Sequence, residues 1–184
     1  MTYGILERDG SYIRHIYTDA LLALKLAREM DGVDAKRVGV CGGSQGGAMA
    51  LATAALDKET SLCVASVPSN CWMERRIFTR SGIYGTIAQL IKAKPELADR
   101  ICGNLSYFDN LNLSERIKCP TLVGVGLNDP VCPPDTIYAA CNRIKAPKRV
   151  IPYPFTEHDG NWPLFNLEAL SFVERLFFKG RRPG

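Results

Sequence analysis

The segment from Arg37 to Leu56 constrains the fold more than any other part of the sequence. Arg37-Val38-Gly39-Val40-Cys41 reads as a short buried strand. It breaks at Gly42-Gly43-Ser44-Gln45-Gly46-Gly47, and a helix of small residues runs from Ala48 to Leu56. A strand joined to a helix through a glycine-flanked serine is the setting of a nucleophile elbow. The glycines have a steric reason, because the turn is tight and side chains beside the serine would collide with the strand or the helix. Ser44 is thereby pushed out above a sheet at a helix N-terminus, where backbone N–H groups favour negative charge. A glycine-rich turn with a helix-capping serine fits the same letters. The flanking strand and helix favour the nucleophile.

The rest of the chain alternates helix and strand signals, the pattern of α/β layers around a mostly parallel sheet. Ile13, Ile16, Tyr17, Ala20, Leu24 and Ala27 follow helical spacing over Tyr12 to Met30, with Ser11 as N-cap and Asp31-Gly32 as the stop. Leu62 to Val67 is a second strand, Thr121 to Gly126 a third and Arg149 to Tyr153 a fourth. Pro134 to Ile144 and Pro163 to Phe178 read as helices, the latter with an apolar stripe of Ala169, Phe172, Val173, Leu176 and Phe177. From about Asn70 to Tyr107 there is no strand signal. Aromatic and basic clusters (Trp72, Arg75, Arg76, Phe78, Arg80) precede a helical stretch from Ile83 to Ala93, so this part reads as a helical insertion that covers a site.

Composition removes several classes. Hydrophobic residues are 46% and charged residues 23% of 184, which excludes disorder and collagen-like repeats. The net charge of +4 is mild and scattered, densest in the tail at Lys179, Arg181 and Arg182, so no nucleic-acid footprint is indicated. No apolar run reaches the roughly 18 to 20 residues of a membrane span, and Met1 to Gly10 lacks the layout of a signal peptide. The seven cysteines (Cys41, Cys63, Cys71, Cys102, Cys119, Cys132, Cys141) show no paired CxxC spacing. Neither a zinc site nor a disulfide framework is indicated, no cofactor is expected, and reduced thiols in a cytoplasmic protein are the simplest reading.

A nucleophilic serine needs a base within hydrogen-bond reach, and the base needs a carboxylate to orient it. There are two histidines. His15 lies inside the first helix, before the elbow, and reads as a surface or half-buried helix residue. His158 lies in the loop Phe155 to Gly160 after the last strand, where a catalytic base belongs. For the acid, Asp129 follows the third strand in Gly126-Leu127-Asn128-Asp129-Pro130, at the sheet edge where α/β sites assemble. Asp135 and Asp159 compete for that role, although Asp135 reads better as a helix cap after Pro133-Pro134. Ser44, Asp129 and His158 stand in the chain order of an α/β-hydrolase triad. The backbone N–H of Gln45, the residue after the nucleophile, is the expected oxyanion donor.

The sequence resembles the acetyl xylan esterase and cephalosporin-C deacetylase group of α/β-hydrolases over about Gly4 to Phe178. The likeness is carried by Tyr12-Ile13-Arg14, Tyr17-Thr18-Asp19-Ala20, Gly43-Ser44-Gln45-Gly46-Gly47 and Tyr107-Phe108-Asp109. It is carried above all by Gly126 to Pro134, and continues in Tyr138-Ala139-Ala140 and Pro147-Lys148. The resemblance implies a serine esterase that removes acetyl groups from esterified sugars such as xylo-oligosaccharides through a Ser–Asp–His triad, without metal, in a cytoplasmic enzyme that commonly assembles as a hexamer. Asp159 stands where the family usually has glutamate after the catalytic histidine. The resemblance also implies a longer sheet, so the chain is expected to be the C-terminal portion of such a fold. The N-terminal strands, an Arg-Gly-Gln motif and the loop giving a second oxyanion donor are then missing. About four strands are expected, with the elbow strand as an exposed edge. A thioesterase or serine peptidase on the same fold, and a weakly active or non-catalytic remnant acting as an interaction module, are the competing readings.

Overall fold

The computed structural model describes residues 2–178, so the basic tail at Lys179, Arg181 and Arg182 lies outside the described residues. Two kinds of sequence pattern build the structure. Short apolar runs buried on both faces become the inner strands of a parallel sheet, and segments with small or one-sided apolar residues become the covering helices.

The sheet has four parallel strands in chain order: β1 (Val40–Gly43), β2 (Cys63–Ser66), β3 (Thr121–Gly126) and β4 (Lys148–Tyr153). The register pairs Val40 with Cys63, Cys63 with Thr121, and Thr121 with Lys148. Every residue of β2 and β3 is buried, whereas β1 and β4 are the partly exposed edges. Cys41 in β1 faces solvent.

The covering helices are α1 (Tyr12–Glu29), α2 (Gln45–Leu56), α3 (Met73–Thr79), α4 (Tyr84–Ala93), α5 (Ala98–Ser106), α6 (Asn110–Leu113), α7 (Pro134–Arg143) and α8 (Trp162–Phe177). One face of the sheet, through Val64 and Leu122, packs on Phe165 and Phe172 of α8. The other face packs on α2 and α7, with Cys63 and Ala65 against the small residues of α2 and Val123 and Val125 against Ile137 and Cys141. Small residues set the spacing. A Cβ at Gly124 would lie 2.6 Å from the Phe165 ring, and one at Gly47 would lie 3.0 Å from the Ser66 carbonyl oxygen. Helix α8 therefore sits closer to β3, and α2 closer to β2, than a side chain would permit.

Several boundaries differ from those read in the sequence. The first strand begins at Val40 rather than Arg37, because Ala35–Arg37 forms a turn of 3₁₀ helix whose start is capped by the Asp34 carboxylate, which accepts the Lys36 N–H at 3.1 Å. At its other end β1 runs through Gly42 and Gly43, which pair with Ala65 and Ser66 instead of forming the turn. The elbow helix starts at Gln45, leaving Ser44 as the whole turn. Ser11 occupies the N-cap position of α1 without a side-chain hydrogen bond to the helix. Asp135 does not cap α7; Pro133 holds the cap position, and Asp135 pairs with Arg75 at 3.2 Å. In the α8 stripe Phe172 is buried, but Leu176 is exposed.

Between Asn70 and Tyr107 the chain forms three helices, α3 to α5, and no strand. Asp109 ties this unit to the sheet. Its buried carboxylate accepts the backbone N–H groups of Trp72 at 2.8 Å, Met73 at 2.6 Å and Leu111 at 2.8 Å. Beneath it, Asn70 donates to the Tyr17 hydroxyl at 3.1 Å and accepts from Tyr84 and Ser69 at 2.9 Å each, while Tyr17 donates to the Phe108 carbonyl at 3.2 Å. These bonds join α1, α4 and the segments at both ends of the α3 to α5 unit.

Burial pushes the Asp109 carboxyl up to about 6, against the pull of its three N–H donors. A carboxyl raised in the folded state stabilises fully below its unfolded value near 3.8 and loses that contribution as pH rises through about 6. The difference is worth up to about 3 kcal/mol. The gap in unfolding free energy between the wild-type chain and Asp109→Asn should therefore fall as pH rises from 4 to 7. Denaturant titrations at several pH values check this, and a gap that stays level contradicts it.

Candidate active site

The loops after β1, β3 and β4 meet at the C-terminal end of the sheet. Ser44 follows β1 with φ 53° and ψ −115°, a conformation that L-residues rarely adopt. Three backbone bonds fix it. The Ser44 N–H donates to the Ser66 carbonyl at 2.9 Å, and the Ser44 carbonyl accepts from Ala48 and Ser69 at 3.0 Å each. A Cβ at Gly42 would lie 2.4 Å from the Gly46 backbone, and one at Gly43 would lie 2.0 Å from the Trp162 indole. Those two glycines are required by space. Gly46 is not, because a Cβ there meets nothing within 4 Å. This departs from the reading that both outer glycines of Gly-x-Ser-x-Gly are steric necessities.

Asp129 is 2% exposed in the loop after β3. Its Oδ1 accepts the backbone N–H groups of Val131 and Cys132, both at 2.8 Å, which closes the loop over its own carboxylate. His158 hangs from the loop after β4. Its Nδ1 lies 2.9 Å from Asp129 Oδ2, and its Nε2 lies 2.9 Å from Ser44 Oγ. Since a carboxylate only accepts, Nδ1 carries the proton and Nε2 is left as the acceptor facing the serine hydroxyl. The three residues named from the sequence thus form one continuous hydrogen-bonded line.

The alternatives lie elsewhere. Asp135 pairs with Arg75, Asp159 accepts the Glu157 N–H at 3.0 Å, and His15 is exposed on α1. Gln45 is the first residue of α2, so its N–H is among those at the helix N-terminus that have no intrahelical partner. Its side chain donates to the Tyr12 hydroxyl at 3.0 Å.

A cleft of about 320 Å³ opens beside Ser44, lined by Tyr12, Gln45, Ser69, Ile83, Val131 and Arg76 among others. Arg76 was not legible as a site residue. It is 2% exposed, and its guanidinium lies 4.3 Å from the Tyr84 ring. Nη2 donates to the Val131 carbonyl at 2.6 Å, and Nε donates to Ser81 Oγ at 3.4 Å. Arg76 thereby anchors the loop that carries Asp129. Cys132, also missed, is 1% exposed and lines the same cleft. Burial pushes its thiol up to about 11, with the Arg76 guanidinium pulling the other way. The sequence signal for Arg76 was its place in a basic cluster, and for Cys132 its place three residues after Asp129 within the stretch Gly126 to Pro134.

The acetyl xylan esterase family model matches residues 1–176. The chain belongs to the acetyl xylan esterase family. It is similar to the acetyl esterase Axe7A of Xylanibacter ruminicola, with 37% identity over 158 residues that cover 86% of this chain and 35% of that protein. Among solved structures, an acetyl xylan esterase from Paenibacillus sp. R4 superposes with a TM-score of 0.92 and 36% identity, covering 96% of this chain and 57% of that one. Acetyl xylan esterase 1 from Thermoanaerobacterium sp. JW/SL YS485 gives 0.84 and 31%, covering 96% and 59%. A puromycin-hydrolyzing peptidase of Mycobacterium tuberculosis, at 21% identity and a TM-score of 0.69, shares the fold alone. The fold is that of an α/β-hydrolase, and the chain spans less than two thirds of the length of these acetyl esterase relatives.

The loops of the candidate site are held by close backbone packing. A Cβ at Gly126 would lie 2.1 Å from the Glu157 carbonyl oxygen, one residue before His158. Gly126→Ala is therefore expected to cost about 1–3 kcal/mol through overpacking. It should also shift the His158 imidazole ¹H and ¹⁵N resonances. Gly46→Ala, with open space around it, should be neutral or stabilising by up to about 1 kcal/mol. Thermal unfolding of the two variants compares them directly, and equal losses would contradict the steric assignment.

Proposed function

We propose that the chain is a serine esterase that removes acetyl groups from acetylated sugars, with xylo-oligosaccharides as the substrate class and Ser44, His158 and Asp129 as the catalytic triad. The observation that carries this reading is the line Ser44 Oγ, His158, Asp129, with 2.9 Å at each step. Membership of a family whose named relatives are acetyl esterases supplies the acyl group.

In the proposed reaction, Ser44 Oγ attacks the acetyl carbonyl carbon while His158 Nε2 takes the hydroxyl proton. Asp129 stabilises the imidazolium through Nδ1–H and holds the ring in the required tautomer. The electron pair of the carbonyl moves onto its oxygen, where the Gln45 N–H and the N-terminus of α2 favour the charge. Collapse of this intermediate expels the sugar alkoxide, which receives the proton from His158, and leaves acetyl-Ser44. Water then attacks the acetyl-enzyme, gives a proton to His158, and acetate departs as Ser44 recovers its proton. A single N–H donor of this kind typically contributes about 10²–10³ in rate.

The test is acetate release from acetylated xylo-oligosaccharides and from a simple acetyl ester by the purified chain, beside Ser44→Ala and His158→Ala. Each substitution should lower kcat by at least about 10³-fold, and the double variant should be little worse than either alone. Hydrolysis that persists in both variants, or none above background in the wild-type chain, overturns the reading.

A further inference from the structure

Cys132 has no role in the chemistry above, yet its sulfur stands among the triad. One ligand-type atom each from Asp129, Cys132 and His158 lie within 4.8 Å of one another. Asp129 and Cys132 are 2% and 1% exposed, while the His158 side chain is 33% exposed and gives access from solvent. The spacing Asp129-x-x-Cys132 places both residues in one closed loop, since the Asp129 carboxylate accepts the Cys132 N–H.

We propose that Asp129, Cys132 and His158 form a binding site for a thiophilic divalent cation, with Zn²⁺ as the probe ion, and that occupancy of this site switches the triad off. A carboxylate, a thiolate and an imidazole are the donor types that zinc takes, at about 2.0–2.3 Å from the ion. Around a tetrahedral ion those lengths put donor atoms roughly 3.3–3.7 Å apart. From separations within 4.8 Å the three atoms therefore need to close by roughly 1.1–1.5 Å at most, a distance that side-chain rotations supply. The fourth position stays open to water. Two features already present act as outer supports. The Val131 and Cys132 N–H groups orient the Asp129 carboxylate, and Arg76 Nη2 holds the Val131 carbonyl. Binding replaces the Cys132 S–H by an S–Zn bond, and the proton passes to solvent. Because His158 bonds to Asp129 through one nitrogen and to Ser44 through the other, coordination at either nitrogen removes a contact the triad needs.

The bland reading of Cys132 is a core residue, since it packs with Val123, Val125 and Ile137. The two readings differ in what the thiol does with metal. Isothermal titration of the full chain with Zn²⁺ should show one tight site per chain, weakened at least about tenfold by Cys132→Ser. Co²⁺ in place of Zn²⁺ should give a near-ultraviolet thiolate-to-cobalt charge-transfer band that Cys132→Ala abolishes and Cys41→Ser, at the solvent-facing cysteine of β1, retains. Absence of the band in the wild-type chain overturns the proposal, as does equal Zn²⁺ affinity in Cys132→Ser. The wild-type cobalt spectrum decides the matter even where a variant fails to fold. Only the switching-off rests on the esterase reading. Zinc inhibition of acetate release, reversed by a chelator, tests it. Metal binding without any esterase activity sinks that reading and leaves the site standing; activity without metal binding does the reverse.

Discussion

Ser44 holds a backbone conformation that costs of order 1–3 kcal/mol, and the arrangement of the loops around it is what keeps it there. Its N–H and carbonyl are tied to Ser66, Ala48 and Ser69, so the turn is bonded at once to β2, to α2 and to the segment leading into the insertion. The bond to Ser66 places the start of α2 against the end of β2. That closeness depends on missing side chains: Gly42 against the backbone of Gly46, and Gly47 against Ser66 and Pro68. The buried small residues of α2, Gly47, Ala48, Ala50, Ala52, Ala54 and Ala55, follow from the same requirement. Strain extends beyond the serine. Val67, Asn70 and Trp72 also have positive φ, and all three lie on the path from β2 into the helical insertion. A β-branched residue such as Val67 pays most for such a conformation. Its N–H donates to the Gly124 carbonyl at 2.8 Å, which locks the end of β2 to β3.

The segment from Asn70 to Tyr107 does more than line the cleft. Through Arg76 it reaches 55 positions along the chain to hold the Val131 carbonyl, and through Asp109 its two ends are drawn together. Arg76 is a buried cation without a carboxylate partner within ion-pair distance among the described residues. A carbonyl, a serine hydroxyl and the Tyr84 ring share its charge instead. An aliphatic residue could fill that volume. It could not orient the loop from Asp129 to Cys132, whose carboxylate in turn orients His158.

What could be read from the sequence follows from how locally each feature is determined. Thr121 to Gly126 is an apolar run buried on both faces, so its bounds in the structure coincide with those of the pattern. The elbow strand was displaced by about three residues because Arg37 to Cys41 is apolar enough to look extended. Asp34 turns its first residue into a 3₁₀ helix, and Gly42 and Gly43, which resemble a turn, continue the ladder on β2. Ser44, Asp129 and His158 could be found because each sits at a strand end, a position that sequence order fixes. Arg76 and Cys132 could not. Their partners are a backbone carbonyl, an aromatic ring and a site assembled from distant loops, and none of these leaves a local pattern.

The three site residues are not equally supported by the sheet. Asp129 follows β3, an inner strand buried along its whole length. His158 follows β4, an edge strand, but its loop is fastened by the Asn128 N–H to the Thr156 carbonyl at 3.0 Å and by the close approach at Gly126. Ser44 follows β1, the other edge of the sheet among the described residues, where Cys41 is exposed. Beside that edge, Ala20, Leu24, Val40, Gly46 and Met49 line an open groove, and the missing contact at Gly46 belongs to this groove. Edge strands with one set of unpaired backbone groups open at lower cost than inner ones. Ser44 thus combines a positive-φ backbone with a place at the end of an edge strand among the described residues. The bonds from Ser44 to Ser66 and Ser69 tie this end of β1 to β2 and to the segment that follows it.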